Sequence, residues 1–256
     1  MATSPVVPPS PPAATADAPA LSEGARLVDT FIAPSKTFTD LKRSAAWWAP
    51  FLLLIIVSTI FAYTVGQKIG FRQAGENVLQ TRPKQLDRIQ QMPADQQDKI
   101  MDKVENQTKY GTYGFPVIDL ILLLIVAAVL FGTFKVVANA NVPYKVALAI
   151  VVYASLPGVL KYLLATLTVA LGVGADTFNI QNPVATNLGT FFSPGDNPVL
   201  FAVGSMVDIF AIWTLALTAI GFTCVAKIKK GAAFAVVFGW YALFGLMMAG
   251  LASLSS

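Results

Sequence analysis

The stretch PYKVALAIVVYASLPGVLKYLLATLTVALG, residues 143–172, decides the fold because it sets the number of membrane spans. It is largely apolar, its only charged residues are Lys145 and Lys161, and Pro157 and Gly158 lie in its middle. As one helix it is about 45 Å long, which exceeds an upright span but does not suffice for two. A helix bent at the proline and a re-entrant pair of half-spans are therefore the two alternatives.

The distribution of cations favours a single helix. If 143–172 crosses the membrane once, nine Lys and Arg residues lie on the same side as the N-terminus, and the connection 173–198 has none. This side is then cytoplasmic, and the C-terminus is external. The connection 67–114 opposes this orientation with eight cations, but it is long and also holds six acidic residues, which weakens its effect. The nine cations are Arg26, Lys36, Lys42, Arg43, Lys135, Lys145, Lys227, Lys229 and Lys230.

The composition is that of a membrane protein, since 55% of the 256 residues are hydrophobic and only 12% are charged. The apolar segments are apolar on every face, which excludes surface helices and barrel strands. The sequence therefore predicts an all-α, polytopic bundle of five transmembrane helices with a kinked third span. The predicted spans are residues 47–66, 115–137, 143–172, 199–226 and 231–254.

The parts outside the spans divide into three. Residues 1–21 are rich in proline and lack the basic and apolar parts of a secretory signal, which predicts a disordered tail. Residues 22–46 form an amphipathic segment that either lies among the headgroups or packs on the cytoplasmic ends of the spans. Residues 67–114 are an external helical insertion into the membrane domain 47–254, with helices beginning at Pro83 and Pro93.

The residue inventory argues against catalysis. The chain has no histidine and a single cysteine, Cys224, and it has no phosphate loop or nucleophile elbow. We therefore expect no enzyme activity, no catalytic residue, no cofactor, no metal and no nucleic-acid partner. A serine–lysine pair of Ser155 or Ser205 with Lys161 stays open by spacing, although nothing else in the sequence builds an oxyanion site.

Three ionisable residues inside the predicted spans form a candidate polar cluster: Asp119, Lys161 and Asp208. Each costs about 2.5–3.5 kcal/mol at the centre of a span and therefore needs a partner or water. Counting residues along the helices places Asp119 at the depth of Lys161 and Asp208 deeper. We expect either an Asp119–Lys161 pair or a lysine that extends to the headgroups, and Lys161 can reach Asp208 only if its side chain points inward instead.

Small residues recur every four positions on the last span, in two sets. This pattern lets helices approach closely, either within the bundle or between copies of the chain. The sets are Gly231, Ala235 and Gly239, and Gly245, Ala249 and Ser253.

Two short motifs give the chain a family resemblance. The segment WWAPF at the start of the first span resembles the Asp-Leu-Tyr-Gly-Pro motif of the Yip domain family (Ypt-interacting proteins), and the third span carries a tyrosine followed by Leu-Pro, as in that family. The glycine and the acidic residue of the family motifs are replaced, and the entry DTFIAPSKTFTDL looks like that of the bacterial branch. The resemblance covers residues 22–254. The matching positions are Trp48, Ala49, Pro50, Tyr153, Leu156 and Pro157.

The resemblance implies five spans, a cytosolic N-terminal region and a C-terminus on the far side. Eukaryotic relatives bind prenylated Rab-type GTPases and shape membranes, whereas the bacterial branch has no settled role. We therefore expect a multi-pass protein of a bacterial cell membrane that acts as a scaffold or adaptor and contacts the lipid bilayer, with protein partners or further copies of itself. The alternative is a small transporter whose polar path is lined by the three intramembrane charges.

Overall fold

The computed structural model describes residues 20–172, 174–193, 197–226 and 228–255, and most of them are helical. Residues 1–19 of the predicted disordered tail lie outside the described residues, and Lys227 does so too. The helices are α1 (Glu23–Ile32), α2 (Pro34–Asp40), α3 (Trp48–Lys68), α4 (Phe71–Gln80), α5 (Pro83–Gln90), α6 (Ala94–Ala138), α7 (Tyr144–Ala154), α8 (Leu156–Ala170), α9 (Pro198–Met206), α10 (Ile209–Ala226) and α11 (Lys230–Ser255).

Five of these helical segments are long and apolar enough to cross a membrane, which confirms the all-α class and the predicted number of candidate spans. The third is the most buried of the five and forms the centre of the bundle. The five candidates are Trp48–Lys68, Ala94–Ala138, Tyr144–Ala170, Ile209–Ala226 and Lys230–Gly250.

The third span is a bent helix interrupted at Ser155, which agrees in part with the predicted kink. Pro157 has no N–H to give to the carbonyl of Tyr153. The Ser155 N–H instead bonds to the carbonyls of Tyr153 and Val151, which closes α7, and α8 begins one residue before the proline. The structure therefore has one bent span across 144–170 and not a re-entrant pair of half-spans.

The fourth span differs from the prediction, which ran it without a break over residues 199–226. The structure interrupts the chain after α9, at Val207 and Asp208, and restarts it at α10. Asp208 Oδ1 accepts hydrogen bonds from the backbone N–H groups of Phe210, at 2.9 Å, and Ala211, at 3.1 Å. Because a side-chain oxygen in this position satisfies the free N–H groups of a helix start, Asp208 begins a new helix here.

The second span also differs, because it is the last part of α6, a single helix of 45 residues that starts in the insertion. The predicted external helix at Pro93 and the predicted span at residue 115 are thus one element. The helix predicted from Pro83 corresponds to α5, and α4 is an additional helix that packs on α6. The insertion is therefore fixed to the membrane domain by a continuous helix.

The helices α1 and α2 form a hairpin, residues 22–41, that packs along the spans. Phe38 of α2 is fully buried against α10, where a Cβ at Gly221 would lie 3.1 Å from its ring. Phe31 of α1 meets Trp213 edge to face, with 5.5 Å between the ring centroids. These two contacts lie about 12 Å apart along α10. The hairpin therefore packs on the spans, as one of the two alternatives expected, but along the side of α10 and not only on its end.

Candidate functional site

The most connected polar cluster joins the α1–α2 hairpin to the third span and is centred on Arg26. Only 2% of Arg26 is exposed. Its guanidinium lies 2.7 Å from Asp40 Oδ2 through Nη2, donates to the same oxygen through Nε at 2.8 Å, and reaches Glu23 Oε1 through Nη1 at 3.1 Å. One buried cation therefore holds carboxylates of both helices.

The backbone of Arg26 takes part as well. Its carbonyl accepts hydrogen bonds from the hydroxyls of Thr30, at 2.7 Å, and Thr37, at 3.1 Å, so α1 and α2 share an acceptor. Burial by itself lowers the pKa of Arg26, but the hydrogen bond and the negative charge of Asp40 outweigh it and raise that pKa. Arg26 consequently keeps its charge at any pH the protein meets.

Tyr153 connects this cluster to α7. Its ring is fully buried, and its hydroxyl donates to Glu23 Oε2 at 2.7 Å. Because a hydrogen bond to a charged acceptor contributes about 1.5–3 kcal/mol, this contact ties the hairpin to the centre of the bundle. We refer to Glu23, Arg26, Asp40 and Tyr153 as the docking cluster.

A second polar cluster lies at the other end of the third span. Lys161 Nζ lies 2.9 Å from Asp208 Oδ2, which also accepts a hydrogen bond from the Thr186 hydroxyl at 2.6 Å. The Asp208 side chain is 4% exposed and the Lys161 side chain 29%. The expected Asp119–Lys161 pair is therefore wrong in its partner: Lys161 pairs with Asp208, and the Asp119 carboxylate makes no hydrogen bond or ion pair to any described residue.

The match to a known family covers most of the chain. The model of the Yip1 domain matches residues 28–251, a range that includes α2 to α10, most of α11, the Lys161–Asp208 cluster, and Asp40 and Tyr153 of the docking cluster. The chain belongs to the Yip1 domain family. It is also 26% identical over 230 residues to membrane protein YknW of Bacillus subtilis (strain 168), a match that covers 89% of this chain and 88% of that protein. No solved structure matches.

The motif positions of this Yip1 domain are mostly buried. Ala49 and Pro50 are buried at the start of α3, whereas Trp48 is exposed. In the third span the tyrosine and the Leu-Pro pair are buried too, and only the tyrosine belongs to the docking cluster. The positions that carried the resemblance in sequence thus lie where the spans pack closely.

The remaining candidates of this Yip1 domain do not form a reactive site. Ser155 Oγ donates to the carbonyl of Val152, and within the described residues no hydrogen bond joins Lys161 to Ser155 or Ser205. The described part of the chain also has no group of three or more Cys, Asp or Glu that could hold a metal ion.

The small residues of α11 divide between two environments. A Cβ at Gly245 would come within 2.7 Å of Met206 Sδ, so this position is used to pack α11 on α9. Gly231, Ala235 and Gly239 are exposed. The first set of small residues is thus free for contacts outside the chain, with lipid or with another helix.

Sequence reasoning did not single out Glu23, Arg26 or Asp40, because cations beside an amphipathic helix usually lie in solvent. The sequence does contain a signal for this buried cluster. Arg26 and Thr30 are four residues apart, so both side chains lie on the same face of the helix, and this polar face can point towards the bundle.

Proposed function

We propose that this Yip1 domain protein is a non-enzymatic scaffold or adaptor of the cell membrane, which binds a partner membrane protein through the exposed face of the α1–α2 hairpin. The observation that carries the proposal is the docking cluster. Its ion pairs hold α1 to α2, and the hydrogen bond from Tyr153 to Glu23 ties the hairpin to the bundle, while the outer face of the same hairpin stays exposed.

That outer face combines apolar and basic side chains. Val28 is 58% exposed and Ile32 is 74% exposed, Lys36 is an exposed cation of the same hairpin, and the exposed Lys42 follows directly after it. An exposed apolar patch bordered by polar groups is typical of an interaction surface. A hairpin held rigidly loses little conformational freedom on binding, which favours affinity.

The test places a photo-crosslinking amino acid at Ile32 of the full-length chain in native membranes. We expect a discrete protein adduct at this position. The matched control carries the same group at Ile60, an exposed position on the side of α3, where lipid adducts are expected. An equal pattern at both positions would contradict an adaptor surface.

A variant connects the surface to the docking cluster. Arg26→Gln removes the cation nearest to Asp40 and leaves it only Arg43, whose Nη1 lies 3.8 Å from Asp40 Oδ1. The loss should approach the cost of about 3–5 kcal/mol for breaking a buried ion pair and should release the hairpin. The Ile32 adduct should then decrease several-fold. The transporter alternative is tested by measuring the flux of ions and small solutes in proteoliposomes that contain the purified chain. Robust, substrate-specific transport would favour a transporter over a scaffold.

A further inference from the structure

A cavity of about 520 Å³ lies between the insertion and the membrane bundle, apart from both polar clusters except at Lys161. Its wall comes from α3, α4, α5, α6 and α8 and from the connection after α8. Cavities of roughly 300–1,000 Å³ hold most small-molecule ligands. The size therefore fits a small ligand, and the position lies where the insertion meets the spans.

Both charged residues that line the cavity are cations. Arg82 and Lys161 line the cavity, and no Asp or Glu of the described residues does. Lys161 is neutralised by Asp208, whereas the guanidinium of Arg82 has no hydrogen bond or ion pair to any described residue. One uncompensated cation thus faces the cavity, and a guanidinium binds a carboxylate or phosphate group through two parallel hydrogen bonds.

The opposite part of the wall is aromatic. Tyr162 contacts two further rings in tilted geometry, Phe61 at 5.4 Å between ring centroids and Phe115 at 5.3 Å. Phe61 is only 3% exposed, whereas Arg82 is exposed, so the aromatic rings form the inner end and the arginine the outer end. A ligand that satisfies both ends has an anionic group and an apolar body.

Two glycines keep the wall open. A Cβ at Gly111 of α6 or at Gly158 of α8 would meet no heavy atom within 4 Å, and both residues line the cavity. A larger side chain at Gly111 would therefore enter the cavity without disturbing the helix packing. Gly114 is equally free of neighbours on the same helix but does not line the cavity.

We propose that this cavity is a binding site for an amphiphilic anion, with the anionic group on Arg82 and the apolar chain against Phe61, Phe115 and Tyr162. The ligand class includes free fatty acids and the anionic lipids of the surrounding bilayer, which share this chemistry.

The experiment uses the full-length protein in a neutral detergent and the fluorescent probe 11-(dansylamino)undecanoate, whose emission rises in an apolar site. We expect saturable binding that dodecanoate displaces and that dodecyltrimethylammonium, with the same tail and the opposite charge, does not. Acetate, which lacks the tail, should also fail to displace the probe. Equal displacement by the cation would overturn the proposal.

Four variants locate the site. Arg82→Gln and Gly111→Leu should each weaken probe binding tenfold or more, whereas Lys103→Gln and Gly114→Leu should stay within twofold of the native chain. Lys103 is an exposed cation of the same insertion that does not line the cavity. Melting curves of all four confirm that they are folded. Native-like binding by both Arg82→Gln and Gly111→Leu would mean that the probe binds elsewhere.

Reconstitution distinguishes the two sources of ligand. If bilayer lipid fills the site, nanodiscs of phosphatidylglycerol should suppress probe binding relative to nanodiscs of phosphatidylcholine. If the site takes free fatty acid, binding should be alike in both. Absence of binding in both lipids and in detergent would overturn the proposal without affecting the adaptor surface on the α1–α2 hairpin.

Discussion

At the scale of single residues, Asp208 joins three parts of the chain through two oxygens. Oδ1 caps α10, while Oδ2 holds Lys161 of α8 and Thr186 of the connection between them. A buried carboxylate with this many partners contributes more to specificity of arrangement than to net stability, because its desolvation offsets much of the attraction. Removal of either charge alone is nevertheless costly, since the other stays buried.

We expect Lys161→Met to lower the free energy of unfolding by about 1.5–3 kcal/mol, because Asp208 keeps its burial but loses its cation. Asp208→Ala should cost about 0.5–2 kcal/mol more, because it also removes the cap of α10. Adding Asp208→Asn to Lys161→Met should recover part of the loss. Thermal melting of the purified chain in detergent measures all three.

The control for this cycle is Asp119→Asn, which should be additive with Lys161→Met, since Asp119 makes no contact with the lysine. If Asp119→Asn rescued Lys161→Met and Asp208→Asn did not, the pairing in the structure would be refuted.

At the scale of elements, close packing between α2 and α10 depends on the absence of a side chain at one position. A Cβ at Gly221 would collide with Ile150 of α7 and press on the Phe38 ring. Ile150, Phe38 and Gly221 thus meet where three helices cross, and the site has no room to adjust because all three are buried. The hairpin needs this contact in addition to the docking cluster.

Gly221→Leu should therefore displace α2 from α10 while the spans stay folded. Trypsin cleavage at Lys42 and Arg43, which follow α2, should become faster by tenfold or more, because the segment loses its packing. Gly239→Leu is the matched control: it also adds a leucine to a transmembrane helix, but nothing lies within 4 Å of that position. Equal cleavage rates in the two variants would show that Gly221 does not hold the hairpin.

The elements also show what the sequence could and could not predict. Apolar length identified five spans, and Pro157 indicated the bend, because both are properties of a local segment. The restart at Asp208 was missed because apolar residues flank it on both sides, and capping depends on side-chain direction, which hydropathy does not contain. The wrong partner of Lys161 follows from this missed break, because the depth of Asp208 was counted along a fourth span assumed to be continuous.

At the scale of the whole molecule, the odd number of candidate spans requires the two ends of the membrane domain to lie on opposite sides of the bilayer. The α1–α2 hairpin and the connection before α11 then share one side, together with the connection between α6 and α7. The long insertion, α4 to the first half of α6, lies on the other side. Which side is cytoplasmic rests on the distribution of cations.

We expect a reporter fused after Ser256 to be active on the external side and one fused at Lys230 to be active in the cytoplasm. The physical reason is the retention of Lys and Arg near span ends on the cytoplasmic side. Paired alkaline phosphatase and green fluorescent protein fusions measure both positions, and a fusion at residue 90 in the insertion serves as the control for the external side. Cytoplasmic signals at both Lys230 and Ser256 would require an even number of spans.

The break at Val207 and Asp208 leaves α10 with 18 residues, whereas α3 has 21. At 1.5 Å per residue these lengths are about 27 Å and about 32 Å, on either side of a typical hydrocarbon thickness of about 30 Å. Lipids beside α10 must therefore shorten to match it, while those beside α3 need not. Such a mismatch costs a fraction of a kcal/mol per Å, so the protein should partition into the thinner regions of its membrane.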